Sequence, residues 1–291
     1  MSSSPFRDLN RLESLGDGRF RATIDPIWTI GPKVHGGSMM AVCAAAARAA
    51  LRAAGADNSG ADNSGADDNA VRAMQPIAVS ANYLAAPDPG DVDLAVTVQK
   101  QGRQVSLVDV ELSQGGRIAV RAAVTLGIPD GDVPAFVSAS SIDDMPAEPS
   151  EHAAAVEGEH PMAQIVHVGQ GCDMRIDTTS AHFLTGAQGE PEVRMWVRAR
   201  PDDEADVDTA VLFAIMAGDI SAPVTMNRGL FGWAPTVQLT TYLRRLPAPG
   251  WLRVRASSDV LGSTWFEEDH DILDSTGAVV VQSRQLAMMP R

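Results

Sequence analysis

The sequence predicts an α+β protein built twice over, as two curled antiparallel sheets, each wrapped around a central apolar helix. Three observations predict it. Residues 76–84 read Pro-Ile-Ala-Val-Ser-Ala-Asn-Tyr-Leu and residues 235–243 read Pro-Thr-Val-Gln-Leu-Thr-Thr-Tyr-Leu, and each phrase runs on to a Pro-x-Pro-Gly that ends at Gly90 or Gly250. The chain's two tyrosines, Tyr83 and Tyr242, hold the same place in this phrase. Each phrase also follows a segment with almost no polar face, residues 39–51 and 206–218. A helix that is apolar all round must be surrounded by other elements. Beyond each phrase lies a hairpin, turning at Gly116 and at Gly277, at nearly the same distance from its tyrosine.

In chain order, residues 19–31 carry short apolar stretches ending in Trp-Thr-Ile-Gly, a strand and a turn. His35, Gly36, Gly37 and Ser38 then open the first helix, whose alanines, methionines and leucine are strong helix formers. Glycines at its start allow another backbone or a ligand to come close. Residues 55–69 are a tandem Gly-Ala-Asp-Asn-Ser repeat with no apolar residue larger than alanine, which predicts a flexible loop. Residues 91–99 and 105–112 alternate, 113–116 turn, and 118–126 return, an antiparallel meander. Residues 128–162 are rich in Pro, Ala, Ser and Glu and read as a linker. The same grammar then resumes, with a strand over 192–200, a helix over 206–218 and strands over 236–243, 251–260, 265–273 and 278–288. The expected organisation is one unit over 1–127, the linker over 128–162 and a second unit over 163–291, the two units pairing edge to edge.

Composition narrows the function. The longest apolar stretch, residues 39–50, is interrupted by Arg48 and is too short to cross a bilayer, so no membrane insertion is expected. The first residues contain no hydrophobic segment of the secretory kind, so a cytoplasmic location is expected. Two cysteines, Cys43 and Cys172, one in each half, fit a reducing compartment and no disulfide framework. A net charge of −14 argues against a nucleic-acid partner. A phosphate-bearing ligand would depend on a local arginine cluster, because Lys33 and Lys100 are the only lysines. There is no Gly-x-Ser-x-Gly elbow, no dinucleotide glycine fingerprint and no zinc-type Cys/His spacing, so neither cofactor nor metal is implied. Residues 267–271, Glu-Glu-Asp-His-Asp, resemble a metal cluster only at first sight. Strand alternation divides them between two faces and predicts a solvent-exposed strand.

Val34-His-Gly-Gly-Ser-Met-Met, followed by an alanine-rich helix and then Ser80-Ala-Asn-Tyr-Leu, resembles the N-terminal half of the double-hotdog acyl-CoA thioesterases of the thioesterase II type. From about Glu192 onward the chain resembles their second hotdog. The likeness covers most of the chain outside the repeat and the linker. It implies a double hotdog, an acyl-CoA substrate, a role in lipid metabolism and a homo-oligomer of double-hotdog chains. It also implies a hydrolytic site in the second half, formed by an aspartate on the central helix, a threonine opening the next strand and a glutamine on the last strand. Asp219, Thr236 and Gln285 match those positions. The chain departs from the family after the aspartate, with only Ile-Ser-Ala before Pro223.

Comparison of the two halves points the same way. By the turn glycines Gln285 corresponds to Val124, and by the Tyr-Leu phrases Thr236 corresponds to Ile77. Burying an amide or a hydroxyl without a partner costs about 1–3 kcal/mol, so their joint appearance in one half suggests that they partner each other, a water or Asp219. A carboxylate, a hydroxyl and an amide around one water form a hydrolytic centre. In such a centre Asp219 would accept the water's proton, and Thr236 and Gln285 would hold it in line. Backbone N–H groups of Gly36, Gly37 and Ser38 at the helix start would receive the developing oxyanion, while His35 caps the helix or lines the site. Arg244 and Arg245, with Lys33 or Arg228, are candidates for the phosphates of coenzyme A. The plainer readings are a solvated Asp219 near Asn227, a Gln285 facing water and solvated arginines. The expected activity is hydrolysis of acyl-CoA to free acid and coenzyme A. The alternative is a non-catalytic acyl-CoA or acyl-ligand binding protein on the same fold. A dehydratase is weaker, since no histidine falls at the three matched positions.

Overall fold

A computed structural model describes residues 3–58, 65–140, 142–158 and 160–291 of the chain. A short helix α1 (Pro5–Leu9) leads into β1 (Glu13–Gly16) and β2 (Arg19–Ile24), and the two-residue strands β3 (Thr29–Ile30) and β4 (Lys33–Val34) pair with each other. Helices α2 (Gly36–Asn58) and α3 (Gly65–Ala73) precede a meander of β5 (Gln75–Tyr83), β6 (Gly90–Lys100), β7 (Val105–Gln114) and β8 (Arg117–Gly127). The second half contains β9 (Ala153–Ala155), β10 (Asp173–Asp177), β11 (Glu192–Arg198), α4 (Pro201–Glu204), α5 (Val207–Ala217), β12 (Thr236–Leu243), β13 (Leu252–Ser257), β14 (Trp265–Leu273) and β15 (Val279–Met288).

Local chemistry accounts for the element ends. Asp206 caps α5 by accepting from the Thr209 N–H at 2.9 Å. Gly115 and Gly116, both at positive φ, form the two-residue turn between Gln114 and Arg117. Residues 39–47 of α2 and 211–217 of α5 are buried all round, as the lack of a polar face requires. Helix α2 packs against β5 to β8, α5 packs against β12 and β15, and the two helices touch each other.

The two expected curled sheets are not distinct: paired edge to edge, they merge into one. Among the described residues thirteen strands form one sheet, in the order β1-β2-β6-β7-β8-β5-β12-β15-β14-β13-β11-β10-β9. The halves meet at β5 and β12, the two duplicated phrases, which lie antiparallel with Ser80 opposite Thr240 and their hydroxyls 2.7 Å apart. Each phrase would otherwise present an unpaired sheet edge, and each satisfies the other's backbone donors and acceptors.

Two further segments differ from expectation. The repeat at 55–69, expected as a loop, is helical over 55–58 and 65–69, and residues 59–64 lie outside those described. Its alanines extend α2 rather than breaking it. Within 128–162, residues 153–155 form β9 on the sheet edge, and Ile142 and Met145 are buried with Trp196, Trp251 and Leu273. Isolated apolar residues in a polar segment can still be anchored by a groove elsewhere. Among the described residues no helix is long and apolar enough to cross a membrane, and both cysteines are free and buried.

Candidate active site

The end of α5 and the start of α2 cross where glycines let the backbones approach. A Cβ on Gly37 would lie 2.5 Å from the Met216 carbonyl oxygen, and one on Gly36 would lie 2.6 Å from Asp219 Oδ2. Asp219 follows the Gly218 cap of α5, so the short Ile-Ser-Ala connection leaves it just outside the helix. Its side chain is only 10% exposed, which sets aside the solvated reading; Asn227 is occupied elsewhere, donating to the carbonyls of Ser180, Glu190 and Glu192. Burial raises the Asp219 pKa to about 7, while a hydrogen bond from the Gly37 N–H pulls it back.

His35 binds the two helices together. Its Nε2–H donates to the Asp219 carbonyl at 2.8 Å and its Nδ1 accepts the Ser38 N–H at 3.2 Å. Burial lowers its pKa to about 4, against the pull of that carbonyl, so the ring is neutral near pH 7. Two of the expected oxyanion donors are therefore already engaged, Gly37 N–H on Asp219 and Ser38 N–H on His35. Tyr83 Oη donates to the Gly36 carbonyl at 3.0 Å.

Thr236 and Gln285 meet through a bulge. Thr236 pairs with Ala287 and Gln238 with Leu286, leaving Val237 as the extra residue. In a regular strand Thr236 and the buried Leu239 would face opposite sides. The bulge turns Thr236 to the core face, where its hydroxyl donates to Gln285 Oε1 at 2.5 Å. Gln285 is 8% exposed, so it faces inward and not to water. The first half has the same bulge at Ile77, between Pro76 and Ala78. Matching the bulges puts Thr236 where the first half has Pro76, one residue away from the Ile77 suggested by the Tyr-Leu phrases. The same slip separates the tyrosines: Tyr83 faces inward and lines the site, whereas Tyr242 is exposed. The equivalence of Gln285 with Val124 agrees with the register, since Val79 pairs with Val124 and Leu239 with Gln285.

Asp219, Thr236, Gln285, His35 and Gly36 all line one cavity of about 670 Å³. Its wall includes Met39, Met162, Met174, Met195, Met226 and Met288, half of the chain's twelve methionines. Flexible thioether side chains adapt to apolar ligands of varied shape. Both halves contribute to the wall, and at the rim Leu84, Ile165, Phe231 and Trp233 are exposed. Arg244 and Arg245 do not line it. They follow the far end of β12 from Thr236; Arg244 is exposed, donates to Gln282 Oε1 at 3.0 Å and lies over the Tyr242 ring. Lys33 is paired with Asp88 at 2.6 Å, and Arg228 donates to the Gly189 carbonyl.

Sequence reasoning missed the other polar wall. Residues 267–271 do alternate, but one face is fully covered rather than solvated: Glu268 and His270 are each 1% exposed. Glu268 lines the cavity, and burial raises its pKa to about 7, with the Asp219 charge adding to the rise and the Val224 N–H, Ser221 and Gln285 opposing it. The acidic run marks the strand, but nothing in its spacing tells which face another segment will cover. Among the described residues no group of three or more His, Cys, Asp and Glu could hold a metal ion.

Comparison with known proteins agrees with this architecture. Residues 24–127 match the family model of the acyl-CoA thioesterase N-terminal domain, and residues 142–289 match that of the C-terminal domain. An uncharacterized protein of Mycobacterium tuberculosis is 43% identical over 284 residues, covering 93% of this chain and 91% of its own. Among solved structures, a Thermobifida fusca protein proposed to be a thioesterase II superposes with a TM-score of 0.79 at 23% identity, covering 99% of this chain and 98% of that one. A hot dog fold protein of unknown function from Alicyclobacillus acidocaldarius gives 0.71 at 16% identity, with 98% of both chains covered.

Proposed function

Because the chain belongs to the acyl-CoA thioesterase family, we propose that it hydrolyses acyl-CoA thioesters to the free acid and coenzyme A, using a water activated by Asp219 and held by Thr236 and Gln285. The observation that carries this reading is the convergence of these three side chains on one methionine-walled cavity. The acyl chain occupies the apolar wall. Water attacks the thioester carbonyl carbon while its proton passes to the Asp219 carboxylate. The Gly36 N–H, at the cavity wall and the positive end of α2, faces the oxyanion. The C–S bond then breaks, and the proton held by Asp219 passes to the leaving sulfur. No acyl-enzyme forms, so no nucleophilic side chain is required.

Free-thiol release measured over a panel of acyl-CoAs of increasing chain length tests the reading. Turnover of at least one is expected. Saturable binding without thiol release from any of them would overturn the assignment in favour of a binding protein.

The rate should also depend on pH. Asp219 accepts a proton only when ionised, and burial holds its pKa near 7. The kcat/KM is therefore expected to rise as pH increases through about 7 and to level off above it, the limb belonging jointly to Asp219 and Glu268. A flat profile from pH 5 to pH 9 would contradict a carboxylate base.

A further inference from the structure

Glu268 is a carboxylate on β14, 1% exposed, in a wall otherwise dominated by apolar side chains. Such a group is costly to bury unless its oxygens are met by donors. Oε2 accepts the Val224 N–H at 3.0 Å. Oε1 accepts the Ser221 hydroxyl at 2.9 Å and Gln285 Nε2 at 3.3 Å. Behind them His270 Nε2 lies 2.9 Å from Ser221 Oγ, while its Nδ1 has no partner. A buried lone pair without a partner costs less than a buried N–H without one, so the ring proton sits on Nε2 and points at Ser221. The Ser221 hydroxyl hydrogen is thereby left for Glu268.

The consequence reaches Thr236. An amide has one accepting and one donating end. An ionised Glu268 accepts only, so it admits the Nε2 end of Gln285 and opposes the oxygen. Oε1 must then face Thr236, whose hydroxyl donates to it. With its hydrogen committed, the Thr236 oxygen offers only lone pairs to the cavity, which is the polarity needed to accept a hydrogen from water. Reversal of the Gln285 amide would put two acceptors together at Glu268 and would make the Thr236 hydroxyl an acceptor, with its hydrogen pointing into the cavity in place of a lone pair. Satisfying the Val224 N–H needs only one oxygen of Glu268; the other is turned to Gln285.

We propose that Glu268, backed by Ser221 and His270, is a positioning residue that fixes the amide orientation of Gln285 and so the direction in which Thr236 receives the attacking water. The proposal rests on the hydrolytic reading above. Its test is a double-mutant cycle of E268Q and Q285A, with kcat, KM and thermal melting measured for each variant on an acyl-CoA that the wild type turns over. An amide at position 268 no longer dictates which end of Gln285 it meets. E268Q is expected to lower kcat by about 10–100-fold with KM changed less than about twofold, the signature of an interaction that matters in the transition state. In the Q285A background the same change should cost less than about twofold, because the effect is transmitted through Gln285.

Equal losses in both backgrounds, or wild-type kcat in E268Q, would overturn the proposal. A lower melting temperature with kcat unchanged per folded molecule would do so too, marking Glu268 as structural. If E268Q does not fold, S221A carries the test: it removes one donor to Glu268 and should give a smaller kcat loss that also disappears in Q285A. A loss that persists there would refute the proposal. D219N, run in parallel, separates the two ideas. Full turnover by D219N removes the Asp219-activated water on which the proposal rests, whereas an inactive D219N beside a fully active E268Q removes only the role of Glu268.

Discussion

Asp219→Asn is expected to lower kcat/KM by about 10²–10⁴-fold, the usual contribution of a general base, without loss of thermal stability. The two side chains have the same shape, and an amide oxygen can still accept the Gly37 N–H that now binds the carboxylate. What disappears is the ability to take a proton from water. The stability half of the prediction follows from linkage. The pKa of Asp219 is raised from 3.8 to about 7 in the folded protein, so the native state holds this proton more tightly than the unfolded chain does. Folding is favoured by this group at low pH, and that contribution is lost as pH rises from about 4 to about 7. The neutral amide has no such penalty. Melting temperatures of the variant and the wild type should therefore stay close at pH 4 and diverge in favour of the variant at pH 8. Undiminished hydrolysis by the variant would rule out Asp219 as the base.

Gly37→Ala is expected to damage both fold and activity. The new methyl group would meet the Met216 carbonyl at 2.5 Å, His35 Cε1 at 2.8 Å and Asp219 Cβ at 3.0 Å. The first of these is backbone of α5 and cannot rotate away, so α2 and α5 must separate. Overpacking of this kind costs about 1–3 kcal/mol, and the displaced atoms include those that place Asp219. A chemical denaturation series should show a lower midpoint at unchanged slope, together with reduced turnover. Gly36→Ala gives an informative contrast. Its methyl group would press at 2.6 Å on Asp219 Oδ2, the end of a side chain, and at 3.4 Å on the Tyr83 ring. That variant should lose activity out of proportion to stability. Equal and small effects from both substitutions would mean that the helix crossing tolerates more separation than its geometry suggests.

The three proposed hydrolytic residues stand out in the sequence because each interrupts an apolar setting: Asp219 ends a helix without a polar face, and Thr236 and Gln285 sit on strands whose counterparts are apolar. All three line one cavity, Thr236 through the bulge at Val237. Glu268 was not legible in the same way. Alternation over residues 267–271 is identical for a strand with one solvated face and for a strand with one covered face. The difference is made by residues 221–224, which follow α5 in the chain and bring the Ser221 hydroxyl and the Val224 N–H onto Glu268. Arg244 and Arg245 are the opposite case. They adjoin the Thr236 strand in sequence, but the length of β12 separates them from Thr236.

By itself the sequence determined the duplication, the two buried helices, the glycine hairpins and the polar intrusions confined to the second half, because these depend on residue type and period along the chain. Only the tertiary structure decided which strand edges merge the two expected sheets into one, that the bulges at Ile77 and Val237 shift the two phrases by a residue, and that a second carboxylate shares the cavity wall with Asp219. Those outcomes depend on which edge, which face and which register meet in space. Period along a chain carries no information about the partner on the other side.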